Sequence, residues 1–495
     1  MNLELVCTGC GAALPLADAA YRCRRCGEPL EVMGFQHPEI HEGMWSKQTL
    51  LERYEEFLPR FGSCRELSMG EGFTPLVNAP TLAEEVGVRC LLIKNETANP
   101  TWSFKDRGTL LAMAEALSRG YRAVGVVSTG NMAASVAAYG AHAGVSVLVL
   151  VGADTPDEKL PPISVYGCTV VKVRGDYGDL YYHSLSLDGI RFLNSDVPAR
   201  VEGSKTIAYE ICEQLGFVAP DWVIVPTSSG GNLRGIAKGF SEMRAAGFTQ
   251  TAPRIVCAQA QGCAPICNAW DRGDAAITPV PMPHTIAHAI SNPSPPSGNA
   301  VLRMLRESAG LCVSVSDDAL LDAQLRMAST GVFGQPAAAV PLAAACVLAQ
   351  KGVLQSDDSV VCIATGGGLK FTRAIEDRVP RSRESDEAVR PTVTLRVAGV
   401  VKRPRAPAAR IPPDRKQPLG RPPARPRHPR IRRRPRLERR TRPALPPPLR
   451  RRPHPPSHRL GHAPVARRRI PPHRHPTRLR RQRIHHRHRP QPRRL

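Results

Sequence analysis

The sequence predicts an α/β protein built on mainly parallel sheets. Three observations carry this. Between about residues 70 and 379, short apolar runs of strand type alternate with helical runs. The apolar runs are nearly continuous, as strands covered on both faces require. Three loops of small polar residues, "STGN", "PTSSGGN" and "ATGGG", each follow one of those runs. In an open parallel sheet, ligands sit at the carboxyl ends of the strands.

The elements follow in order. "RCLLIKNE" (89–96) reads as a strand and "DRGTLLAMAEALSRG" (106–120) as a helix closed by Gly120. "AVGVVST" (123–129) is a strand, "NMAASVAAYGAHAG" a helix ending at Gly144, and "VSVLVLVG" the next strand. "CTVVKV" (168–173) precedes a helix over "SKTIAYEICEQLG". "DWVIVPT" (221–227) and "LRGIAKGFSEMRAAG" form a further strand and helix. "RIVCAQA", a helix near 317–330, "AAAVPLAAACVLAQKG" and "SVVCIATGGG" complete the pattern.

Charge divides the 495-residue chain in two. Residues 401–495 hold 33 Lys and Arg against two acids, Asp414 and Glu438, a net of +31. The rest holds 35 against 41, a net of −6, so the body has no basic footprint for nucleic acid. From Val401 onward there is no Phe, Trp, Tyr, Cys or Met, while 23 of the 48 prolines and nine of the 15 histidines are there. Such a segment cannot build a core and is expected to be disordered. "PTVTLRVAGVV" (391–401) alternates like the first strand of a small domain, and the pattern then stops. A shifted reading frame in a GC-rich gene explains that break better than a basic arm for acidic partners.

The start, "MNLELVCTGCG", lacks a basic region and a long apolar run, so no signal peptide is expected. No run reaches membrane-spanning length. Cys90, Cys168, Cys257 and Cys362 lie inside apolar segments, which suits buried free thiols in a reducing cytoplasm. Cys7-x2-Cys10 and Cys23-x2-Cys26 differ. Each pair is followed by Gly, at Gly11 and Gly27, and two such knuckles supply the four thiolates of a closed, structural Zn2+ site. A metal-free ribbon or a disulfide pair is the alternative.

The body's motifs converge on one chemistry. In "PTSSGGN", Pro226 to Asn232, small residues let backbone N–H groups point inward at a helix start, which makes a phosphate cradle. A flexible turn has the same composition, and the loop is neither a P-loop nor GxGxxG. "STGN", Ser128 to Asn131, suits a carboxylate or an ordinary helix cap. In "ATGGG", Thr365 could offer a hydroxyl to a flat heterocycle. Lys105, in "NPTWSFKDRG", could be a surface charge or a reactive amine. An amine, a phosphate site and a carboxylate site together suggest pyridoxal phosphate acting on an amino acid, with the lysine in Schiff-base linkage.

At this point the body resembles the threonine synthases among the fold type II, tryptophan synthase β-like, pyridoxal phosphate enzymes. The likeness rests on "GEGFTPL", "KNETANPTWSFKDRG", "STGNMAASVAAYGAHAG", "LNSDVPARVEGSKTIAYEI", "PTSSGGN", "HTIAHAISNPSPPS" and "ATGGGLK". It covers roughly 1–378, since archaeal-type members also begin with a zinc ribbon. It implies a ribbon over 1–35, a connecting helical segment over 36–69, and a catalytic body of two α/β subdomains over 70–379 with the cofactor between them. Residues 380–495 are the tail. It further implies that Lys105 carries the cofactor, with Phe104 packed near it. Asn131 would bond the ring's 3′-oxygen, Ser228, Ser229, Gly230, Gly231 and Asn232 would hold its phosphate, and Thr365 would face the ring nitrogen. Ser128 and Thr129 would bind the substrate carboxylate. Asn194, Ser195 and Arg200, in "NSDVPAR", would bind a phosphate on the substrate, for which Arg geometry is suited; pairing of Arg200 with Glu202 is the bland reading. The implied reaction turns O-phospho-homoserine and water into threonine and phosphate, in a cytoplasmic homodimer.

Three positions depart from the family pattern. Trp102 stands where Gly is usual, Met132 where Thr is usual, and Gln335 where Glu is common. They leave room for a sibling such as a cysteate synthase or threonine dehydratase, or for a silent pyridoxal phosphate binder. Trp102 must either point away or reshape the entrance.

Overall fold

A computed structural model describes residues 3–35, 47–62, 65–175 and 177–379. The expected tail, its lone alternating stretch at 391–401 and most of the first half of the 36–69 connection lie outside the described residues.

The ribbon is a three-stranded antiparallel sheet of β1 (Glu4–Cys7), β2 (Ala13–Pro15) and β3 (Leu30–Met33), with β1 central. Leu5, Leu30 and Val32 form its small core beside Cys7 and Cys23. The described part of the connection holds one helical turn, Leu50–Arg53, and short 3-10 turns at Glu55–Phe57 and Arg65–Leu67.

Two sheets follow. Their strands are β4 (Leu76–Asn78), β5 (Cys90–Asn95), β6 (Ala123–Val127), β7 (Ser146–Gly152), β8 (Thr169–Val173), β9 (Arg191–Phe192), β10 (Trp222–Pro226), β11 (Arg254–Ala260), β12 (Leu311–Val315) and β13 (Ser359–Ala364). The larger sheet runs β12-β11-β10-β13-β5-β4, parallel except for β4. The smaller runs β8-β7-β6-β9, all parallel. β10 is buried along its whole length, which is why its sequence reads as an unbroken apolar run. One apolar cluster packs the helices Pro80–Val86, Asp317–Ala328 and Pro336–Gln350 on one face of the larger sheet. Another packs Thr206–Gln214 and Gly231–Ala245 on the other face. A third joins Lys105–Ser118 and Asn131–Ala143 to the smaller sheet.

One expected helix is divided. "SKTIAYEICEQLG" yields the helix Thr206–Gln214 behind a separate helix, Pro198–Ser204. The Thr206 hydroxyl donates to the Gly203 carbonyl (2.7 Å), a local bond that competes with the helical ladder. The Pro198–Ser204 helix lies against Lys105–Ser118 at an exceptionally close approach. A Cβ on Gly203 would sit 2.3 Å from the Arg107 carbonyl, and one on Gly108 would sit 2.9 Å from that of Arg200. Only glycine permits this contact, and it sets Arg200 beside Lys105.

A buried ionic network fixes the "KDR" turn. Arg107 donates to Glu96 (2.7 Å) and Glu210 (2.6 Å), and Lys94 donates to Glu210 (2.7 Å). Asp106 accepts from the Thr101 N–H (2.7 Å), the Thr101 hydroxyl (2.6 Å) and Ser135 (2.6 Å). Strand β5, the turn before Lys105 and the helices behind it are thereby locked in one register. No helix among the described residues is long and apolar enough to cross a membrane.

Candidate active site

The carboxyl ends of β6, β7, β8, β10 and β13 open on one cavity of about 570 Å³. Both sheets contribute, because parallel strands deliver all their following loops to the same end. Phe104, Lys105, Ser128, Thr129, Asn131, Ser195, Ser228, Ser229, Gly230, Asn232 and Thr365 line it. Met132 and Gln335 line it as well, so two of the three unusual positions face the reacting volume.

Lys105 begins its helix and keeps part of its surface open to the cavity. Its Nζ lies 4.4 Å from the Phe104 ring centroid. Burial and the neighbouring Arg200 guanidinium push the amine down to about 7, against an ordinary 10.5. The amine is thus substantially neutral, and nucleophilic, near pH 7.

Arg200 is not on the cavity wall. It lies behind Lys105 and donates to the Lys105 carbonyl (3.0 Å) and the Thr109 hydroxyl (2.8 Å). Burial lowers its guanidinium to about 9, with Asp106 opposing, so it stays charged at neutral pH. The pairing with Glu202 does not occur: Glu202 pairs with Lys205 (2.6 Å) and Lys238. Among the described residues no carboxylate forms an ion pair with Arg200, so its charge remains available to an anion.

Asn194 also lies off the wall. Its Oδ1 accepts from the Val127 N–H (2.9 Å) and its Nδ2 donates to Ser184 (3.0 Å). It ties β6 to the 194–200 loop, a positioning task distinct from the anion contact expected of it. Gly231 is also off the wall, packed so tightly that a Cβ would meet the Ser195 carbonyl at 2.6 Å. That contact presses the 228–232 loop onto the 194–200 loop.

Sequence reasoning missed Lys370, Lys159 and His288. Lys370 Nζ donates to Asn131 Oδ1 (2.9 Å) and to the Thr101 carbonyl. The Asn131 oxygen is therefore occupied and its NH2 group is the end left for a ligand. Burial lowers the Lys370 amine to about 8, with Asp106 opposing. Lys159 and His288 stand on the wall, and burial, then Lys159, hold the imidazole below its ordinary value. Lys370 lies in "ATGGGLK" and His288 in "HTIAHAISNPSPPS", both quoted for the family likeness but not for these side chains; Lys159 carried no signal.

Trp102 is the residue that turns away. It is 60% exposed and off the wall. Its φ of 55° is left-handed, where glycine is favoured, and its carbonyl accepts from Gly367 N–H (2.9 Å). The backbone thus explains why a glycine suits this position, and the ring leaves the entrance unblocked.

The residues fit a phosphorylated aldehyde cofactor. Both amide atoms of Asn232 are buried without a hydrogen-bond partner among the described residues, at the start of the helix Gly231–Ala245. A ligand phosphate there would accept from the Asn232 Nδ2, a donor that otherwise costs about 1–3 kcal/mol unpaired. The ribbon cysteines fit a metal ion: all four Sγ atoms lie within 4.8 Å of one another, with Cys7–Cys26 at 3.4 Å and Cys10–Cys23 at 3.7 Å. Gly11 and Gly27 take left-handed φ of 67° and 73° in the turns, as the doubled motif requires.

The family described as pyridoxal-phosphate dependent enzyme matches residues 67–366. The threonine synthase of Methanosarcina acetivorans is 37% identical over 382 residues, 76% of this chain and 94% of that protein. That of Methanocaldococcus jannaschii is 37% identical over 374 residues, covering 74% and 92%. Among solved structures, a threonine deaminase from T.th. is 27% identical with a TM-score of 0.50, covering 59% of this chain and 92% of that one. Diaminopropionate ammonia lyase from Escherichia coli, 18% identical with a TM-score of 0.54, covers 63% and 89% and shares the fold.

Proposed function

This chain belongs to the pyridoxal-phosphate dependent enzyme family, and from that premise we propose that it works as a threonine synthase. It is a pyridoxal-phosphate-dependent lyase that converts O-phospho-L-homoserine and water to L-threonine and phosphate. The observation that carries the substrate choice is the placing of Lys105 beside a buried Arg200 that forms no ion pair among the described residues, Asp106 acting on it only at longer range. A substrate that is itself a phosphate monoester suits that positive charge. The homologues' names agree, at 35–37% identity over 65–76% of this chain.

The bound cofactor supplies an aldehyde that condenses with amines and a ring that draws electrons from the substrate's Cα. The chain's residues do the rest. Ser228, Ser229, Gly230 and Asn232 hold the cofactor phosphate at a helix start, with Gly231 giving the close approach. Asn131, its oxygen held by Lys370, presents its NH2 group to the ring's 3′-oxygen. Thr365 offers a neutral hydroxyl to the ring nitrogen. Ser128 and Thr129 orient the substrate carboxylate. Ser195 on the wall, with the Arg200 charge behind it, takes the substrate phosphate at Cγ. The Lys105 amine, partly neutral near pH 7, removes the proton at Cα and moves a proton at Cβ. Phosphate departs from Cγ, Cγ takes up a proton to become the methyl group, water adds its hydroxyl at Cβ, and a proton returns to Cα. The four ribbon cysteines hold a structural zinc. The same reading carries a cytoplasmic setting, consistent with thirteen free cysteines among the described residues, and a homodimer.

Phosphate release from O-phospho-homoserine, set against O-phosphoserine and threonine, tests the reading. Threonine formed with stoichiometric phosphate is expected. Production of 2-oxobutanoate from threonine, with phospho-homoserine inert, would overturn it in favour of a dehydratase.

A further inference from the structure

We propose that the N-terminal ribbon braces the cofactor-phosphate loop, with Arg22 and Asp196 as positioning residues, so that metal loading of the ribbon sets cofactor affinity. The inference rests on reading 228–232 as the phosphate cradle. It starts at the residue before Cys23. Arg22 Nε donates to the Gly27 carbonyl, inside the second cysteine knuckle. Its two other nitrogens leave the ribbon: Nη1 donates to Asp196 Oδ2 (2.8 Å) and Nη2 to the Pro296 carbonyl (2.7 Å). Asp196 also accepts from the Ser297 hydroxyl (3.1 Å) and from Tyr181. The Ser297 N–H in turn donates to the Ser229 carbonyl (3.0 Å), within the cradle.

A second strut meets the first. Glu31, on β3, accepts from Arg234 Nε (3.0 Å) and Nη2 (2.8 Å). Arg234 Nη1 donates to the Ser297 hydroxyl (3.0 Å). Arg234 belongs to the first turn of the helix Gly231–Ala245, whose start is the cradle. The ribbon therefore grips the loop from both sides, through Ser297 and through Arg234. Arg22 and Asp196 are largely buried, with side-chain exposures of 13% and 2%. Charge-assisted bonds at such depth are strong and geometrically exacting. Tetrathiolate coordination fixes the 23–27 turn; its loss frees the Gly27 carbonyl and with it the aim of Arg22.

The test uses the full chain, zinc-loaded and freed of cofactor. Pyridoxal phosphate and pyridoxal, which lacks the phosphate, are titrated separately by absorbance. Arg22→Ala is expected to weaken pyridoxal phosphate about tenfold or more while leaving pyridoxal unchanged. Glu31→Gln, a milder change on the other strut, should move pyridoxal phosphate in the same direction by a smaller factor. Zinc removal from the wild type should reproduce the selective loss, and should add little to Arg22→Ala, since both act on one connection. Equal weakening of both ligands would reduce the ribbon to a general stabiliser and overturn the proposal. So would wild-type affinity in both variants, or multiplying effects of chelation and substitution. A wild type that prefers pyridoxal phosphate no more than pyridoxal would instead overturn the cradle reading beneath it.

Discussion

Replacing Lys105 by Met in the cofactor-free protein should stabilise it, and by an amount that depends on pH. Burial and the adjacent Arg200 charge push the amine down to about 7 in the folded chain. In the unfolded chain it keeps the ordinary value of about 10.4. At 1.36 kcal/mol per pH unit, that gap caps the cost of holding it folded at about 5 kcal/mol. The amine opens to a cavity that solvent fills, so screening reduces the figure to about 2 kcal/mol. The sign follows from proton counting. Between about pH 7 and pH 10.4 the unfolded chain binds a proton that the folded one does not, so stability falls as pH falls through this window. Below about pH 7 both states are protonated and the full cost persists. Lys105→Met removes the titration. Its gain over wild type in urea midpoint should be largest near pH 7 and shrink towards about pH 10. Burial of the methionine side chain adds an offset that does not vary with pH. A difference between the two proteins that is flat across the window would refute the depressed amine, and with it the partly neutral base proposed at Lys105.

Asn232→Ala should weaken pyridoxal phosphate by about tenfold or more without lowering the melting temperature of the cofactor-free protein, because it removes a buried amide that has no partner among the described residues. Lys370→Met should weaken cofactor binding several-fold by releasing the Asn131 oxygen, measured by titrating the cofactor-free protein. Trp102→Gly should leave kcat/KM unchanged and shift stability by no more than about 1 kcal/mol, the relief of a left-handed φ being offset by glycine's freedom when unfolded. Glu210→Gln should cost about 3–5 kcal/mol in urea unfolding, since it leaves Arg107 and Lys94 buried with one carboxylate fewer. Despite desolvation, Arg107 and Lys94 hold the Glu210 carboxyl at about 2, so its contribution is present above the ordinary 4.5 and lost as pH falls towards 2.

The sheet pattern and the three strand-end loops were legible because burial on both faces writes an apolar run, and a ligand loop needs small residues at a fixed point after it. β10 with "PTSSGGN" is the clearest instance. β4 and β9, three and two residues long, carry no period and were invisible. "KDR" read as one motif, yet its members face different partners: Lys105 the cavity, Asp106 the Thr101 turn, Arg107 the pair Glu96 and Glu210. No local rule assigns partners about a hundred residues away.

The same limit explains the site's second rank. Arg200 and Asn194 were singled out for anion contact, but their geometry was fixed elsewhere, by the Gly203–Gly108 approach and by the Val127 N–H. Their displacement from the wall changes their chemistry. A guanidinium on the wall would bind phosphate directly; one layer back it acts through its field, on the Lys105 amine and, under the proposed function, on an incoming phosphate. One charge thus lowers the proton affinity of Lys105 and, under the proposed function, would favour an anionic substrate. Filling the site with a dianion would oppose Arg200 and raise the Lys105 pKa, so the amine would become a better proton holder once the phosphate is in place and a weaker one after it departs. Under the proposed function, that placement of Arg200 would suit a single lysine that takes a proton at Cα before phosphate loss and gives one up afterwards.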